Sequence, residues 1–165
     1  MTGDFDDLLE ANREFAENFA LAGFDGVAKA GVALVTCMDS RIDPLGMLGL
    51  KPGDAKIFRN PGGRVTEAAL EALVLGVHLL NVNRILVIPH TRCAMASSTL
   101  EQVREKVGAS AGQDASWQTF LVIEDQLTSL REDVAMVRTY PLLAEGVEVG
   151  GFVYDVDTGR LEQLV

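Results

Sequence analysis

The sequence has few of the features that mark several large classes of protein. It contains two cysteines, too few for a disulfide framework, and no apolar run as long as a transmembrane helix. Lysine and arginine together number 14 against 24 aspartate and glutamate residues, which gives a net charge of −10. This balance argues against nucleic acid and against an anionic membrane surface as partners. We therefore expect neither partner, although the charge does not identify a substrate.

The first residues lack the features of a signal peptide. They are acidic and open a helical pattern, whereas a signal peptide has a basic start followed by an apolar stretch. We therefore expect a cytoplasmic protein. In a reducing compartment two cysteines rarely form a structural disulfide, so both become candidates for metal binding or catalysis.

No internal repeat, low-complexity segment or linker divides the 165 residues, a length that fits one domain. We predict a single domain over residues 1–165, in which residues 1–24 form an N-terminal helical arm. Within the arm, residues 4–21 have the spacing of an amphipathic helix. Four of the seven phenylalanines lie in the first 24 residues. A helix so rich in aromatic side chains must cover either the core of this domain or, as we expect, a partner subunit.

Short apolar runs alternate with helical patterns along the rest of the chain. The predicted strands are residues 31–36, 55–59, 84–89, 147–156 and 160–164, and the predicted helices are residues 45–48, 65–80, 98–107 and 117–138. This alternation predicts an α/β fold with a mostly parallel central sheet flanked by helices, and with an antiparallel edge hairpin at the C-terminus. The helix at 65–80 is so apolar that we expect it to be buried almost all round, between the sheet and a second subunit. Ser98 and Glu101 match a capping box for the helix that follows them.

Two of the predicted strands end in side chains that bind metals. Cys37 follows the first strand, and His90 and Cys93 follow the third. Ligands in open α/β sheets bind beyond the carboxyl ends of the strands, so we expect these three side chains to meet. Thiolates and imidazole select zinc over magnesium or calcium. Three protein ligands leave the fourth position open, as a catalytic zinc requires, so we predict one such zinc ion per subunit.

Each of these residues also has an ordinary structural explanation. A buried cysteine at a strand end is commonly a small core residue, and an isolated Asp-x-Arg is usually a surface ion pair. A histidine after a proline can cap a turn. The combination of all these residues at the ends of parallel strands favours the metal site. The other histidine, His78, shares a polar helix stripe with two glutamates and is not expected to be a ligand.

Asp39 and Arg41 lie just beyond Cys37. Zinc with two thiolates and a neutral imidazole has no net charge, so it acidifies bound water less than a site of three neutral histidines does. Arg41 can hold Asp39 in a bidentate pair and keep it ionised, and Asp39 can then accept a hydrogen bond from zinc-bound hydroxide. If the pair breaks, Asp39 can instead bind zinc and close the site.

These motifs resemble those of the β-class carbonic anhydrases. The matching segments are Cys-Met-Asp-Ser-Arg at 37–41, Arg-Asn-Pro-Gly at 59–62, His-Thr-Arg-Cys at 90–93 and the closing segment at 151–159. The likeness spans roughly residues 30 to 160. The short chain is similar to the compact bacterial and archaeal subgroup.

The resemblance implies zinc binding by Cys37, His90 and Cys93 and a catalytic dyad of Asp39 and Arg41. The implied reaction is the reversible hydration of carbon dioxide to bicarbonate and a proton by zinc-bound hydroxide. The resemblance also implies a homodimer or a tetramer, in which the N-terminal arm lies across the partner subunit.

Two other functions remain open from the sequence. Proteins similar to the compact subgroup hydrolyse carbonyl sulfide or carbon disulfide with the same zinc chemistry, and the apolar residues of the pocket would decide between the substrates. A non-catalytic zinc-binding oligomer is the other possibility, although a structural zinc site normally has four protein ligands and needs no dyad. A dithiol redox protein fits less well, because Cys37 and Cys93 do not form a Cys-x-x-Cys pair.

Ala94, Arg92 and the segment 59–62 lie in or beside the motifs, and the sequence allows alternatives for each. The family usually has glycine directly after the second cysteine, and this chain has Ala94. If that position needs a positive φ, alanine carries a backbone cost. Residues 59–62 either line the site or form a tight structural loop, and Arg92 either attracts anions or faces solvent.

Overall fold

The computed structural model describes residues 4–143 and 145–165 and builds them around a five-stranded sheet. The strands are β1 (Val32–Cys37), β2 (Ala55–Asn60), β3 (Arg84–Ile88), β4 (Glu148–Tyr154) and β5 (Leu161–Gln163). Their order is β2-β1-β3-β4-β5, with β1 to β4 parallel and β5 antiparallel to β4. The predicted α/β class, with its mostly parallel sheet and antiparallel C-terminal hairpin, is confirmed.

Helices flank this sheet. They are α1 (Asp6–Glu17), α2 (Glu67–Leu79), α3 (Leu100–Ala111) and α4 (Gln126–Thr139). Short 3₁₀ turns follow three of the strands, at Gly46–Leu48, Pro61–Gly63 and Ala94–Ala96. Across the described ranges, no helix is both long and apolar enough to cross a membrane.

Strand β1 is the centre of the core, and all six of its residues are buried. Ala33 and Val35 lie in the cluster that α2 and α4 cover, whereas Val32 and Leu34 lie in a second cluster on the opposite face. A strand buried on both faces requires the continuous apolar run that the sequence has here. The burial fixes the direction and register of β1, and therefore the position of the residue at its end.

The strand order creates a crevice at the carboxyl end of β1. The chain leaves β1 for β2 on one side and then crosses over, through α2, to β3 on the other side. Such a switch point separates the two outgoing loops and is where open α/β sheets bind ligands. Cys37 is the last residue of β1, and His90 lies two residues beyond the end of β3 at Ile88. The fold therefore brings both to the same crevice.

A buried ion pair fastens the loop after β2 to α4. Asp133 is buried, and its carboxylate accepts hydrogen bonds from Nε and Nη2 of Arg64 at 2.7 and 3.1 Å. The same carboxylate accepts from the backbone N–H of Val65 at 3.2 Å. Removing one partner of such a pair leaves an uncompensated buried charge, which typically costs about 3–5 kcal/mol. This pair holds the loop that lies beside Cys37.

The predicted helix over residues 117–138 is wrong in its first part, because α4 begins only at Gln126. Asp125 caps α4 by accepting from the backbone N–H of Thr128 at 2.6 Å. Before it, the backbone N–H of Ile123 donates to the carbonyl of Met95 at 2.8 Å. This bond joins the segment before α4 to a residue 28 positions away, a contact that a local helical pattern cannot reveal.

The capping box of α3 is shifted by one residue from the predicted position. Thr99 accepts from the backbone N–H of Gln102, and the Gln102 side chain accepts from the backbone N–H of Thr99. Ser98 with Glu101 and Thr99 with Gln102 both satisfy the same pattern, so the sequence allows either register.

The N-terminal helix does not cover the core of its own chain. No residue of α1 is buried, and the aromatic side chains Phe5 and Phe15 are 67% and 63% exposed. In α2, Leu79 is 68% exposed, so this helix is not buried almost all round within one chain. Residues 1–3 of the predicted arm lie outside the described residues.

Candidate metal centre

The structure brings together the three side chains that the sequence predicts as metal ligands. One ligand atom each from Cys37, His90 and Cys93 lies within 4.8 Å of the other two, and all three residues are buried. Zinc bonds to sulfur and nitrogen are about 2.0–2.3 Å long, so one ion can bridge atoms at this spacing. The predicted cluster therefore exists as a geometric unit.

The ring of His90 is oriented as a metal ligand requires. Its Nδ1 lies 2.9 Å from the carbonyl oxygen of Thr91, so Nδ1–H donates there and the other nitrogen keeps its lone pair. That Nε2 is buried and has no hydrogen-bond partner in the described part of the chain. A buried polar atom without a partner is costly, and a bound cation satisfies it. The residues present therefore fit a zinc ion.

The pKa values of the two cysteines shift in opposite directions. The hydrogen bond with Cys93 holds the pKa of Cys37 well below its usual range, against the opposing effect of burial. The same hydrogen bond, together with burial, raises the pKa of Cys93. Burial disfavours a charged ring at His90, but the negative charge of the neighbouring Cys37 outweighs burial and raises the pKa of His90. A lowered pKa favours the thiolate form of Cys37, and the negative charge of that thiolate favours binding of a cation at the cluster.

The loop after β2 lies against Cys37. The backbone N–H of Gly62 donates to Sγ of Cys37 at 3.3 Å, which stabilises the thiolate. Gly63 has a φ of +67°, and a Cβ at this position would lie 2.9 Å from the backbone nitrogen of Cys37. Only glycine permits both that conformation and that approach. The segment is therefore a tight structural loop and a wall of the site at once.

Asp39 and Arg41 form the bidentate pair expected from the sequence. Oδ1 of Asp39 accepts from Nε of Arg41 at 2.9 Å, and Oδ2 accepts from Nη2 at 2.7 Å. The Arg41 backbone N–H also donates to Oδ1 at 2.9 Å. These bonds hold the pKa of Asp39 well below its usual range, so the carboxylate stays ionised near neutral pH. Its Oδ2 lies 3.8 Å from Nε2 of His90, beside the ligand atoms.

Arg59 binds the backbone near the site, a role that was not predicted from the sequence. Its Nε donates to the carbonyl of Cys37 at 2.9 Å, and its Nη2 donates to the carbonyl of Asp39 at 2.6 Å. The signal in the sequence was the position of Arg59 in the segment 59–62, to which no chemical role was assigned. Strand pairing puts Arg59 beside the end of β1.

The C-terminal hairpin holds the loop that contains His90 and Cys93. The hydroxyl of Thr91 donates to Asp155 at 3.3 Å and accepts from the backbone N–H of Val156 at 3.1 Å. Arg92 forms an exposed ion pair with Asp157, so its charge is already partnered. Of the two possibilities for Arg92, the exposed position facing solvent is the one observed.

Ala94 does not carry the backbone cost that a positive φ would impose. It begins the 3₁₀ turn at Ala94–Ala96, and the positive φ in this loop belongs to Arg92, at 54°. His78 lies outside the cluster, with its Nε2 hydrogen-bonded to the carbonyl of Leu142 at 2.7 Å. It is not one of the grouped ligand residues.

Comparison with known proteins identifies the family. A family model described as carbonic anhydrase matches residues 32–161, most of the chain and all of the site. The chain belongs to the β-carbonic anhydrase family. A crystal structure of carbonic anhydrase from Streptococcus mutans is 37% identical, with a TM-score of 0.88 over 100% of this chain and 99% of that one.

The chain is similar to relatives of two kinds, carbonic anhydrases and carbon disulfide hydrolases. β-Carbonic anhydrase 1 of Mycobacterium tuberculosis is 29% identical over 163 residues, which cover 96% of each chain. A carbon disulfide hydrolase of Acidianus sp. strain A1-3 is 26% identical, with 95% of this chain and 89% of that one covered. Carbonic anhydrases of this family are zinc enzymes that interconvert carbon dioxide and bicarbonate. The enzyme class and the zinc cofactor predicted from the sequence are therefore confirmed.

We predict that Cys93→Ala abolishes stoichiometric zinc binding, because it leaves two of the three ligand atoms. His78→Ala is the matched control, since it removes the other histidine but no atom of the cluster. Metal content of the purified variants, measured by plasma emission spectroscopy after gel filtration, checks this. Zinc retained in Cys93→Ala, or lost in His78→Ala, would show that the ion binds elsewhere.

Proposed function

We propose that this chain catalyses the reversible hydration of carbon dioxide to bicarbonate and a proton. In this proposal Cys37, His90 and Cys93 bind the zinc ion, and Asp39 with Arg41 forms the catalytic dyad. The observation that supports it most strongly is the position of the Asp39 carboxylate. Its Oδ2 lies 3.8 Å from the unpartnered Nε2 of His90, so an ionised acceptor stands beside the ligand set.

The three ligand residues would hold the ion, which when bound supplies a Lewis acid that lowers the pKa of water by many units. Asp39 would accept a hydrogen bond from the attacking water and turn a lone pair of its oxygen toward the carbon atom of the substrate. Carbon dioxide gains one C–O bond, one C=O π bond opens, and the proton of the water passes to solvent.

Arg41 would serve the reaction by keeping Asp39 ionised and in one orientation. Three donors of Arg41 reach the carboxylate, two on Oδ1 and one on Oδ2. Oδ2 thus retains acceptor capacity on the side that faces His90. A carboxylate fixed in this way accepts from the attacking water without competing as a metal ligand.

The non-catalytic zinc protein has less support. A structural zinc site normally has four protein ligands, and the described residues group only three. The bidentate pair beside the cluster would also have no purpose in such a protein. Hydrolysis of carbonyl sulfide or carbon disulfide remains the alternative, because a carbon disulfide hydrolase is among the relatives and these molecules are linear electrophiles like carbon dioxide.

We expect the zinc-loaded protein to hydrate carbon dioxide with a higher kcat/KM than it shows for carbonyl sulfide or carbon disulfide. Stopped-flow mixing with a pH indicator measures the first reaction, and sulfide release measures the other two. The metal-free protein, prepared with a chelator, is the control for both. A higher kcat/KM for either sulfur compound would support the alternative instead.

We further predict that Asp39→Asn keeps its zinc but lowers kcat about 100-fold, because the amide lacks the charge and one acceptor. Asp114→Asn is the matched control: this carboxylate is exposed, and it too has its pKa lowered by local hydrogen bonds, those from Ser116. Zinc content and carbon dioxide hydration are measured on both. Wild-type kcat in Asp39→Asn would contradict the proposed role of the dyad.

We also propose a homodimer, or a tetramer built from such dimers, in which residues 1–24 pack on the partner subunit. The support is the exposed apolar surface of α1 and the residues just after it, where the rings of Phe15 and Phe19 lie 5.8 Å apart and are both exposed. A cytoplasmic location and the absence of a nucleic acid partner remain predictions from the sequence.

We predict that Phe15→Glu weakens this assembly, because burying an unpaired carboxylate against an apolar partner surface is unfavourable. Light scattering coupled to gel filtration should show a dimer or tetramer for the wild type and a smaller species for the variant. Glu14→Gln, a neighbouring change on the same helix, is the control and should keep the wild-type mass. A monomeric wild type, or an unchanged Phe15→Glu, would contradict the proposed arm.

A further inference from the structure

Arg59 stands between the metal ligand of β1 and the carboxylate of the dyad. Its Nε donates to the carbonyl of Cys37 at 2.9 Å, and its Nη2 donates to the carbonyl of Asp39 at 2.6 Å. We propose that Arg59 is a positioning residue that fixes the Asp39 carboxylate relative to the ligand thiol of Cys37. This inference rests on the proposed role of Asp39 in the reaction.

The backbone beyond β1 needs such a support because the sheet ends there. The last ladder bond from this segment to β2 is the N–H of Met38, which donates to the carbonyl of Asn60 at 3.1 Å. Past that bond, Asp39 belongs to a loop. Its carbonyl accepts from the backbone N–H of Ile42 at 3.1 Å, within the same loop, and from Arg59. Of these two bonds, the one from Arg59 ties the loop to the rigid sheet.

Arginine suits this task for a geometric reason. Its guanidinium is planar and presents several donors in a fixed fork, so one side chain can bind two carbonyls with little loss of freedom. The two carbonyls belong to residues 37 and 39, which contribute the thiol and the carboxylate of the site. Because one rigid guanidinium binds both carbonyls, it fixes the separation between residues 37 and 39. A lysine has a single point of charge and cannot reproduce the fork.

Arg59 and the nearby Arg64 bind different kinds of partner. Arg64 pairs with the buried carboxylate of Asp133 and thereby holds the fold together. Among the residues that the structure describes, no carboxylate lies within ion-pair distance of Arg59, and its donors go to the two backbone carbonyls. A half-buried cation used in this way contributes to the geometry of the site rather than to a structural ion pair.

The test compares Arg59→Met, which keeps the apolar stem but loses both donors, with Arg84→Met. Arg84 is a matched control because its Nη2 also donates to a backbone carbonyl, that of Ala30 at 2.9 Å, at the opposite end of the sheet. Both substitutions are made in the zinc enzyme, alone and together with Asp39→Asn. The readouts are kcat, KM, zinc affinity by competition with a chromogenic chelator, and thermal unfolding.

We expect Arg59→Met to lower kcat about 10- to 100-fold and to weaken zinc affinity about tenfold, as outer hydrogen bonds of metal sites commonly do. KM should change little, since Arg59 does not bind the substrate. In the double variant with Asp39→Asn, kcat should fall no further than in Asp39→Asn alone, because the two residues act as one unit. Arg84→Met should keep wild-type kcat and zinc affinity.

Other results would overturn the inference. One is a kcat of Arg59→Met equal to that of the wild type. The other is a double variant whose fold-loss in kcat equals the product of the fold-losses of the two single variants. If Arg59→Met does not fold, Arg59→Lys takes its place, with an expected kcat between wild type and Asp39→Asn and with wild-type kcat as the contrary result. Normal activity in Asp39→Asn overturns the proposed dyad and this inference together, whereas normal activity in Arg59→Met alone overturns only this inference.

Discussion

The burial of three side chains that could hold a metal ion at one point is the constraint that organises the functional end of this protein. Nε2 of His90 has no hydrogen-bond partner in the described residues, and the neighbouring Cys93 lowers the pKa of Cys37. The surrounding backbone satisfies the other atoms of these residues. Gly62 donates to Cys37, and Thr91 accepts from Nδ1 of His90. The Sγ atoms of the two cysteines and Nε2 of His90 remain as the atoms that could hold a zinc ion.

The sheet supplies the rigidity that this arrangement requires. Cys37 and His90 come from different loops, and they meet because β1 and β3 are neighbours whose carboxyl ends flank the switch point. A slip in the register of β1 would move its side chains to the opposite faces, where they would not fit the two packed core clusters, and would also move Cys37. Packing and chemistry are therefore coupled through the position of one strand end.

Loop contacts then adjust the site within this frame. The hairpin that closes the sheet holds Thr91, while Arg59 reaches the carbonyls beyond β1 from the opposite neighbour, β2. The ion pair of Asp39 and Arg41 lies between these supports, and Nη2 of Arg41 also donates to the carbonyl of Arg92 at 3.4 Å. Supports from both sides explain how a carboxylate on a loop can be held in one place.

Several features could be predicted from local sequence because local forces decide them. An apolar run bounded by polar residues makes a buried strand, and ligand residues at two strand ends imply a common site, so the fold class and the cluster of Cys37, His90 and Cys93 followed. Other features depend on contacts distant in sequence. The non-helical segment before α4 contains the bond from Ile123 to Met95, and no local pattern records that contact.

The sequence by itself determined the α/β class, the family and the identity of the clustered residues, because periodicity and residue type carry that information directly. Only the tertiary structure decided how the cluster is held. The ion pair of Arg92 with Asp157 and the two bonds of Arg59 join segments that are distant in sequence. Such packing is a property of the whole chain, since each contact is stable only when the others have formed.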